Sequence, residues 1–316
     1  MSGLMMPEYV RVVEVGPRDG LQNEADFVAT ATKIELVERL AQTGVPVVEV
    51  TSFVNPKAVP QLADAGEVLS GMTIGMGENE RATEYPVLVP NMRGYEAARE
   101  HGVTSISVFT AASESFNRRN INASIAESIE RIAPVVDAAL TDHVHVRGYV
   151  STAFGCPFEG EIARSAAADV VERLMTLGIR DISIGDTIGV ATPADIEPVL
   201  TPILELLDID DLALHLHDTR GTALANVWEG IRLGVTTFDA SVSGLGGCPF
   251  APGATGNLAT EDLVFLLHRA GIETGIDLAA LVETSRWISE QMGRAPASHV
   301  AKARLWPWAP ELVGAP

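Results

Sequence analysis

The chain has 316 residues, of which 47% are hydrophobic and 20% charged, a composition typical of a soluble globular enzyme with a large core. Its 42 acidic and 22 basic residues give a formal net charge of −20, which argues against general affinity for nucleic acid or anionic membranes, because both need a basic surface. The sequence has no apolar run of the ~20 residues that a transmembrane helix needs, no signal or transit pattern, and only two cysteines, so we expect a cytoplasmic protein without a disulfide framework.

Eight short runs rich in β-branched residues alternate with longer helical patterns. The predicted strands are 10–15, 47–53, 86–89, 105–109, 145–150, 181–184, 212–217 and 236–240. A glycine suited to the left-handed end of a helix follows four of the helical patterns, at Gly44, Gly102, Gly178 and Gly234. Repeated helix–glycine–strand units predict parallel strands joined by crossover helices. Eight such strands favour an α/β fold of the (β/α)8 TIM-barrel type over a two-domain doubly wound fold.

Polar residues mark the starts of three helices. Thr32 and Ser124 each precede a glutamate by three positions, as in a capping box. Thr192 is followed by a proline, as at a helix N-cap. We expect one catalytic barrel domain over residues 1–278 and a helical extension over residues 279–316, packed on the barrel.

Active sites of TIM barrels are built by the loops that follow the carboxyl ends of the strands. Several polar residues of this chain lie at such positions. They are Arg18 and Asp19 after the first predicted strand, Glu49 in the second, Asp186 after the sixth, and His215 and His217 in the seventh. We therefore expect these side chains to meet at one end of the barrel.

The segment LALHLHDTRG places His215 and His217 two positions apart, so that both point to the same side of a strand and can bind one divalent ion. An isolated pair of this kind is also compatible with two histidines that are hydrogen-bonded at a strand end. Asp19 is the natural carboxylate partner, and Asn257 either caps the following helix or gives its amide oxygen to the ion. This mixed nitrogen and oxygen set suits Mg²⁺ or Mn²⁺, and Zn²⁺ is also compatible.

Further residues at the barrel mouth indicate the chemistry. Arg18 is a costly charge there unless a negative charge compensates it. The glycine-rich stretch 243–257 carries Cys248 and predicts a mobile or tightly folded loop. A metal ion that polarises a hydroxyl and a carbonyl, an arginine beside an enolate oxygen and a thiol that moves a proton suit carbon–carbon bond cleavage or formation next to a carbonyl.

Long motifs between about residues 12 and 277 resemble the hydroxymethylglutaryl-CoA lyases of the DRE-TIM metallolyase superfamily. They include VEVGPRDGLQNE, TSFVNPKAVPQLAD, HLHDTRGTALAN and GLGGCPFAPGATGNLATEDL. The resemblance implies a TIM-barrel enzyme that binds an acyl-CoA substrate and splits 3-hydroxy-3-methylglutaryl-CoA into acetoacetate and acetyl-CoA. It also implies a homodimer.

Residue by residue, the resemblance carries over a set of metal ligands, which are Asp19, His215, His217 and Asn257. Arg18 matches the arginine that stabilises the thioester enolate, and Cys248 matches a loop cysteine that acts as acid or base. Glu49 and Asp186 match carboxylates that line the site. His215 is also implied in removal of the proton from the C3 hydroxyl.

Alternatives remain at the level of the substrate. The nearest is a lyase of the same family that acts on another branched 3-hydroxyacyl-CoA, such as citramalyl-CoA. The intact cysteine loop disfavours a barrel synthase, and the position of the histidine pair on the seventh strand disfavours amidohydrolases, which carry such a pair on the first. Arg220 departs from the tyrosine of the family: facing the cavity, it would change which acyl group is accepted, and otherwise it is a solvated arginine at a helix start.

Three further residues are assigned secondary roles. Cys156 lies in a segment that echoes the one around Cys248 but lacks its glycines, so we expect it to be structural. His145, at the start of the fifth predicted strand, is expected to be a surface residue without a carboxylate nearby. Arg147 is one of several cations that we consider for anionic groups of the substrate.

Overall fold

The structure is a computed structural model that describes residues 6–73, 83–247 and 256–303. Nine strands within these ranges form one sheet. They are β1 (Arg11–Glu14), β2 (Val47–Val48), β3 (Thr51–Ser52), β4 (Val87–Leu88), β5 (Ser105–Ala111), β6 (His145–Ser151), β7 (Asp181–Asp186), β8 (Leu212–Leu216) and β9 (Thr237–Ala240). Every pairing between neighbouring strands is parallel, as the helix–glycine–strand pattern predicts.

The sheet closes into an eight-membered barrel because β2 and β3 are two pieces of one predicted strand, 47–53. The strand order runs β2-β1-β9-β8-β7-β6-β5-β4-β3, so that β2 pairs with β1 and β3 pairs with β4. Between the pieces, the N–H of Glu49 bonds to the carbonyl of Glu14, and that of Val50 bonds to the carbonyl of Pro86. The chain therefore passes from one neighbour to the other without leaving the wall, and the predicted TIM barrel is confirmed.

Eleven helices occupy the described ranges, mostly as crossovers between the strands. They are α1 (Thr30–Gln42), α2 (Ala65–Gly71), α3 (Met92–Glu100), α4 (Glu114–Ile121), α5 (Ile125–Thr141), α6 (Ala166–Thr176), α7 (Pro193–Leu204), α8 (Ala223–Arg232), α9 (Thr260–Arg269), α10 (Leu278–Gln291) and α11 (His299–Lys302). Each crossover helix buries the apolar stripe that faces the sheet. In α1 this stripe includes Leu36, Val37 and Leu40, none of which is exposed.

The helix boundaries confirm two of the three predicted starts. Ser124 and Thr192 each close a capping box at the start of α5 and α7. The prediction for Thr32 is wrong, because α1 already begins at Thr30 and its N-cap, Ala29, makes no side-chain bond. The four predicted glycines all have positive φ, between 72° and 100°. At Gly44 a Cβ atom would also lie 2.5 Å from the Gly275 carbonyl oxygen, so both conformation and space require glycine there.

The main apolar core lies between the strands and the helices, whereas the inside of the barrel is largely polar. Among the described residues, Val13, Val15 and Val47 form a small apolar cluster separate from the main core. Arg147 on β6 donates a hydrogen bond to Asp239 on β9, although β7 and β8 separate these strands in the sheet. Such a bond must cross the interior, so charged groups replace part of the apolar layers that usually fill a TIM barrel.

The described part of the predicted C-terminal extension consists of α10 and α11. Arg39 of α1 lies over the ring of Trp287 of α10, 4.5 Å from its centroid. Asp262 of α9 accepts hydrogen bonds from the backbone N–H groups of His299 and Val300. α10 therefore contacts α1, and α11 contacts α9. Among the described residues we find no helix with the length and apolarity needed to span a bilayer.

Candidate active site

Arg18 and Asp19 lie in a tight π-helical turn, Gly16–Gly20, that directly follows β1. The backbone N–H groups of Arg18, Asp19 and Gly20 all donate to the Val15 carbonyl. Gly20 allows the turn to approach the segment after β9, since a Cβ atom there would lie 2.8 Å from Cβ of Leu245. This folding fixes the direction of both charged side chains.

The predicted ion ligands from the two ends of the chain are brought together. Nε2 of His215 lies 3.2 Å from Nε2 of His217 and 4.0 Å from Oδ2 of Asp19. The three residues each offer a ligand atom within 4.8 Å of the others. Asn257 joins them from the other side, since its Nδ2 donates to Oδ2 of Asp19 at 2.9 Å.

The unsatisfied atoms of this cluster test whether it fits a cation. Nδ2 of Asn257 donates to Asp19 and to the Leu245 carbonyl, while its Oδ1 is buried and has no hydrogen-bond partner among the described residues. A buried amide oxygen without a partner is costly unless an ion or water satisfies it. Two facing imidazole nitrogens, a carboxylate and this oxygen fit a divalent ion of the Mg²⁺ or Mn²⁺ type.

The charges at the site keep two ligands in the forms that bind metals. Burial raises the pKa of Asp19, but the charges of Arg18 and His215 outweigh this effect. The pKa falls below its usual value, to about 2. Burial, aided by repulsion from His215, lowers the pKa of His217 to about 4. At neutral pH Asp19 is therefore a carboxylate and His217 is a neutral imidazole, as coordination requires.

Glu49 holds the guanidinium of Arg18 from the barrel wall. Oε2 of Glu49 accepts a bond from Nε of Arg18 at 2.5 Å, and Oδ1 of Asp19 accepts one from Nη1 at 2.6 Å. Burial lowers the pKa of Arg18, but these two carboxylates outweigh it and raise the pKa above its usual range. The Tyr149 ring lies 5.4 Å from the guanidinium carbon. Arg18 is therefore a permanent, rigidly held cation beside the ligand cluster.

Asp239 is a site residue that the sequence analysis missed. It is buried inside the barrel, and its carboxylate accepts hydrogen bonds from Arg147 Nη2 at 2.8 Å and Ser183 Oγ at 2.7 Å. Nδ1 of His215 lies 3.3 Å from Oδ2 of Asp239. Burial raises the pKa of Asp239, but Arg147 and His215 lower it below the usual value. In the sequence, Asp239 is the acidic residue of the eighth predicted strand, which by itself does not distinguish a buried charge from an exposed one.

Two predictions about cations and histidines need correction. Arg147 does not reach toward a substrate, because its guanidinium is ion-paired with Asp239 and Asp181 inside the barrel. His145 does have a carboxylate partner, since its Nε2 lies 3.0 Å from Oδ2 of Asp181. Both predictions failed because Asp181 begins the neighbouring strand, β7, whose register brings it opposite Arg147.

Asp186 and Arg220 hold the loop that follows β7. The two carboxylate oxygens of Asp186 accept the backbone N–H groups of Val190 and Ala191, at 3.0 and 2.9 Å, and burial raises the pKa of Asp186 above its usual value. Nη1 of Arg220 donates to the carbonyls of Ile188 and Gly189, at 2.8 Å each. Arg220 is exposed, but its guanidinium is bound to these two carbonyls. It therefore matches neither expected alternative, a solvated arginine or a free cation that faces the cavity.

Of the two cysteines, Cys156 lies within the described residues. Cys248 lies outside the described residues. Cys156 is buried, and its Sγ accepts hydrogen bonds from Ser113 Oγ at 3.0 Å and from the N–H groups of Phe158 and Glu159 at 3.4 Å. These contacts support the structural role expected for Cys156.

Comparison with known proteins gives matches over nearly the whole chain. Residues 9–288 match the family model described as HMGL-like. The mouse protein named "Hydroxymethylglutaryl-CoA lyase, mitochondrial" is 49% identical over 94% of this chain and 90% of its own length. The crystal structure of hydroxymethylglutaryl-CoA lyase from Pseudomonas aeruginosa has a TM-score of 0.90 and 45% identity, over 94% of this chain and 97% of that one. An HMG-CoA lyase from Acinetobacter baumannii, solved in complex with coenzyme A and 3-methylmalate, has a TM-score of 0.88 and 40% identity, over 94% and 95% of the two chains.

Proposed function

The chain belongs to the HMGL-like family, and from this membership we infer that it is a carbon–carbon lyase that cleaves 3-hydroxy-3-methylglutaryl-CoA. In this retro-Claisen reaction the C3 hydroxyl loses its proton and the bond between C2 and C3 breaks. C3 becomes the ketone of acetoacetate, and the electron pair passes to C2 as the enolate of acetyl-CoA. A proton returned to C2 completes acetyl-CoA, so atoms and charge balance.

The observation that carries this assignment is the contact between Arg18 and Asp19. The guanidinium lies 2.6 Å from a carboxylate that faces two imidazoles. A permanent cation is thus fixed next to a cluster suited to a divalent ion, in a place where little water competes. This arrangement suits a reaction that develops negative charge on two neighbouring oxygens, one on the C3 alkoxide and one on the thioester enolate.

The proposed roles of the ligand residues are supported by the unpaired Oδ1 of Asn257 and by the closeness of the other three ligand atoms. We assign the divalent ion to Asp19, His215, His217 and Asn257, and we expect Mg²⁺ or Mn²⁺. When bound, such an ion supplies Lewis-acid polarisation of hydroxyl and carbonyl oxygens. Arg18 is assigned to the enolate oxygen of the thioester, and Glu49 keeps its guanidinium in place through the 2.5 Å bond to Nε.

Two residues are assigned to the proton transfers. We propose that His215 assists removal of the C3 hydroxyl proton indirectly, since its Nε2 is assigned to the ion and its Nδ1 is hydrogen-bonded to Asp239. Protonation of C2 is assigned to Cys248 on the basis of the sequence resemblance alone. Asp186 is proposed to act indirectly, by holding the backbone of Val190 and Ala191 at the edge of the site.

The substrate class, the location and the oligomeric state are proposed from less direct observations. We propose an acyl-CoA substrate, supported by the bound coenzyme A of the Acinetobacter baumannii relative. The small number of cysteines supports a cytoplasmic location. The homodimer stays a prediction, which light scattering of the purified protein would test.

The decisive experiment is an assay of the purified protein with 3-hydroxy-3-methylglutaryl-CoA, Mg²⁺ and a thiol reductant, in which acetoacetate and acetyl-CoA are both quantified. Equal amounts of the two products are expected, and a chelator should abolish them. Citramalyl-CoA serves as the matched alternative substrate. Turnover of citramalyl-CoA without turnover of 3-hydroxy-3-methylglutaryl-CoA would overturn the assignment.

A further inference from the structure

Glu14, the last residue of β1, is a fully buried carboxylate that the proposed reaction does not use. Its Oε1 accepts the backbone N–H groups of Gly16 and Val242, both at 2.8 Å. Its Oε2 accepts the hydroxyl of Thr260 at 2.6 Å. One side chain thus links the turn that follows β1 to two segments that lie 228 and 246 residues away in the sequence.

Each of these segments carries part of the candidate ion site. Gly16 begins the turn that ends with Asp19 and Gly20. Val242 begins a 3₁₀ turn, Val242–Gly244, which leads to Leu245. The Leu245 carbonyl accepts a hydrogen bond from the amide of Asn257 at 3.0 Å. Thr260, three residues beyond Asn257, begins α9.

The sequence makes room for this carboxylate. A Cβ atom on Gly16 would lie 2.6 Å from Oε1 of Glu14, closer than real contacts allow, so even an alanine at that position would displace the carboxylate. The three bonds of Glu14 therefore depend on a glycine at the entrance to the turn that carries Asp19.

A second buried carboxylate, Glu261, contacts the same 3₁₀ turn. Both oxygens of Glu261 lie 3.0 Å from the N–H of Ser243, the residue next to Val242. Ser243 has a φ of 60°, a strained backbone conformation for a residue with a side chain. Glu261 contacts the turn after β9, whereas Glu14 links that turn to the one that carries Asp19.

Burial of Glu14 is unfavourable for folding in itself. Desolvation raises its pKa to about 7, in spite of its three hydrogen bonds. Its three hydrogen bonds offset part of this cost, since a buried N–H or hydroxyl group without a partner is itself costly. In return, the carboxylate provides a fixed link between the segments that carry its three partners.

We propose that Glu14 is a positioning residue that sets the separation of Asp19 from Asn257 and thereby the geometry of the divalent-ion site. It acts through backbone and hydroxyl groups and contacts neither ligand side chain. This inference rests on the proposed function, in that it takes these residues to hold the ion. Its test measures ion binding, so that it does not depend on which acyl-CoA is cleaved.

Two near-isosteric variants separate positioning from space filling. In Glu14→Gln, the amide oxygen can accept both N–H groups and the NH2 group can donate to the hydroxyl of Thr260. In Glu14→Met, all three bonds are lost while the volume is kept. Calorimetric titration of metal-stripped protein with Mn²⁺ should show affinity within about twofold of wild type for the glutamine variant. The methionine variant should bind at least about tenfold more weakly, as is typical when an outer-shell partner of a ligand is removed.

Activity and a matched control complete the design. At saturating Mn²⁺ the methionine variant should regain most of its kcat, because Glu14 does not touch the substrate. Asp64 offers the control, since it is also a buried carboxylate, paired with Lys33 at 2.7 Å and bonded to Thr30. Asp64→Asn should lower the free energy of unfolding and leave the Mn²⁺ affinity unchanged.

If Glu14→Met does not fold, Thr260→Val removes only the bond to Oε2 and should weaken Mn²⁺ binding by about threefold, as expected for one hydrogen bond. Wild-type Mn²⁺ affinity in a folded Glu14→Met, or in Thr260→Val if the first is unfolded, would overturn the inference. Absence of Mn²⁺ binding by the wild type would overturn it as well. Failure of the wild type to cleave 3-hydroxy-3-methylglutaryl-CoA would overturn the proposed function and leave the comparison of affinities valid.

Discussion

Nδ1 of His215 faces Oδ2 of Asp239 at 3.3 Å, inside the barrel, while Nε2 of the same ring faces Nε2 of His217. A carboxylate accepts a hydrogen bond from Nδ1–H and so leaves Nε2 with the lone pair that a metal ion needs. Arg147 and Ser183 fix the carboxylate in turn. Asp239, inside the barrel, therefore orients His215, one of the candidate ion ligands.

Replacement of Asp239 by asparagine tests this orientation. The amide NH2 group can donate to Nδ1 of His215 and would then move the ring proton to Nε2, the atom that faces the ion. We expect Asp239→Asn to weaken Mn²⁺ binding by about 10- to 100-fold, measured by calorimetry on metal-stripped protein. Ser183→Ala removes a bond to the same carboxylate but keeps its charge, so its affinity should fall by no more than about threefold. Equal affinities of Asp239→Asn and wild type would contradict the assigned role.

The variant Arg18→Met distinguishes a role of this residue at the thioester enolate from a role in ion binding. Loss of a positioned donor at a developing oxyanion typically lowers kcat by about 10²- to 10³-fold. Mn²⁺ affinity should change far less than kcat, because all four assigned ligands remain in the variant. Steady-state kinetics and calorimetry on the same preparation measure both quantities. A variant with nearly normal kcat would contradict the role of Arg18.

The same substitution leaves the buried carboxylate of Glu49 without its partner, which is expected to cost about 3–5 kcal/mol of stability. Denaturant unfolding should therefore accompany the kinetics, and both should be measured well below the unfolding midpoint. The matched variant Arg18→Met/Glu49→Met removes both charges and should recover part of this stability, with kcat still low.

The fold could be predicted because its signals are local. Gly44 and its counterparts end helices, and β-branched runs follow them, so the order of elements is visible in the sequence. The residues around Asp19 and His217 could also be predicted, since both follow or end strands at the mouth of the barrel. The sequence left two roles possible for Asn257, helix cap and ion ligand. Only its unpaired Oδ1, which the structure reveals, distinguishes them.

Asp239 and Glu14 could not be predicted, for a physical reason. Each lies within a strand whose neighbours are set by barrel closure, and their partners are 92 residues away, Arg147 for Asp239, and 246 residues away, Thr260 for Glu14. In the sequence an acidic residue at such a position is indistinguishable from one at the exposed end of a strand. The role of either buried carboxylate can be inferred only when it is known which parts of the chain the fold brings next to it.

Arg220→Met tests whether this cation acts on the substrate or on the backbone. Because Nη1 of Arg220 donates to the carbonyls of Ile188 and Gly189, its loss should loosen the loop after β7 that Asp186 also holds. We expect kcat/KM to fall by about three- to tenfold, as for one or two hydrogen bonds, and to the same degree for 3-hydroxy-3-methylglutaryl-CoA and any slower substrate. Arg220→Lys keeps the charge but not the paired geometry and should behave similarly. A change in the ratio of kcat/KM between acyl groups would instead place the cation next to the substrate.

Glu14 also makes the stability of the protein depend on pH. Its pKa is about 7 in the folded protein, raised by burial from an ordinary value of 4.5. The folded state therefore binds more protons than the unfolded state between about pH 4.5 and pH 7, so the free energy of unfolding falls as pH rises through this window and the contribution levels off above it. In Glu14→Gln the hydrogen bonds remain but the titration is gone. The unfolding free energy of this variant, minus that of wild type, should thus increase from pH 5 to pH 8 by on the order of 3 kcal/mol.

Urea unfolding of metal-free protein at several pH values within this range measures the difference. Metal must be absent, because an ion that binds only the folded state adds its own pH-dependent stabilisation. Glu261, whose pKa burial raises to about 8 with a smaller contribution from the charge of Glu14, titrates in both proteins, so its contribution cancels in part in the difference. Glu261→Gln provides the matched comparison: it should flatten the wild-type decline between about pH 5 and pH 8 in the same direction. Parallel curves for wild type and Glu14→Gln would contradict the raised pKa, because they would mean that Glu14 takes up no additional proton on folding.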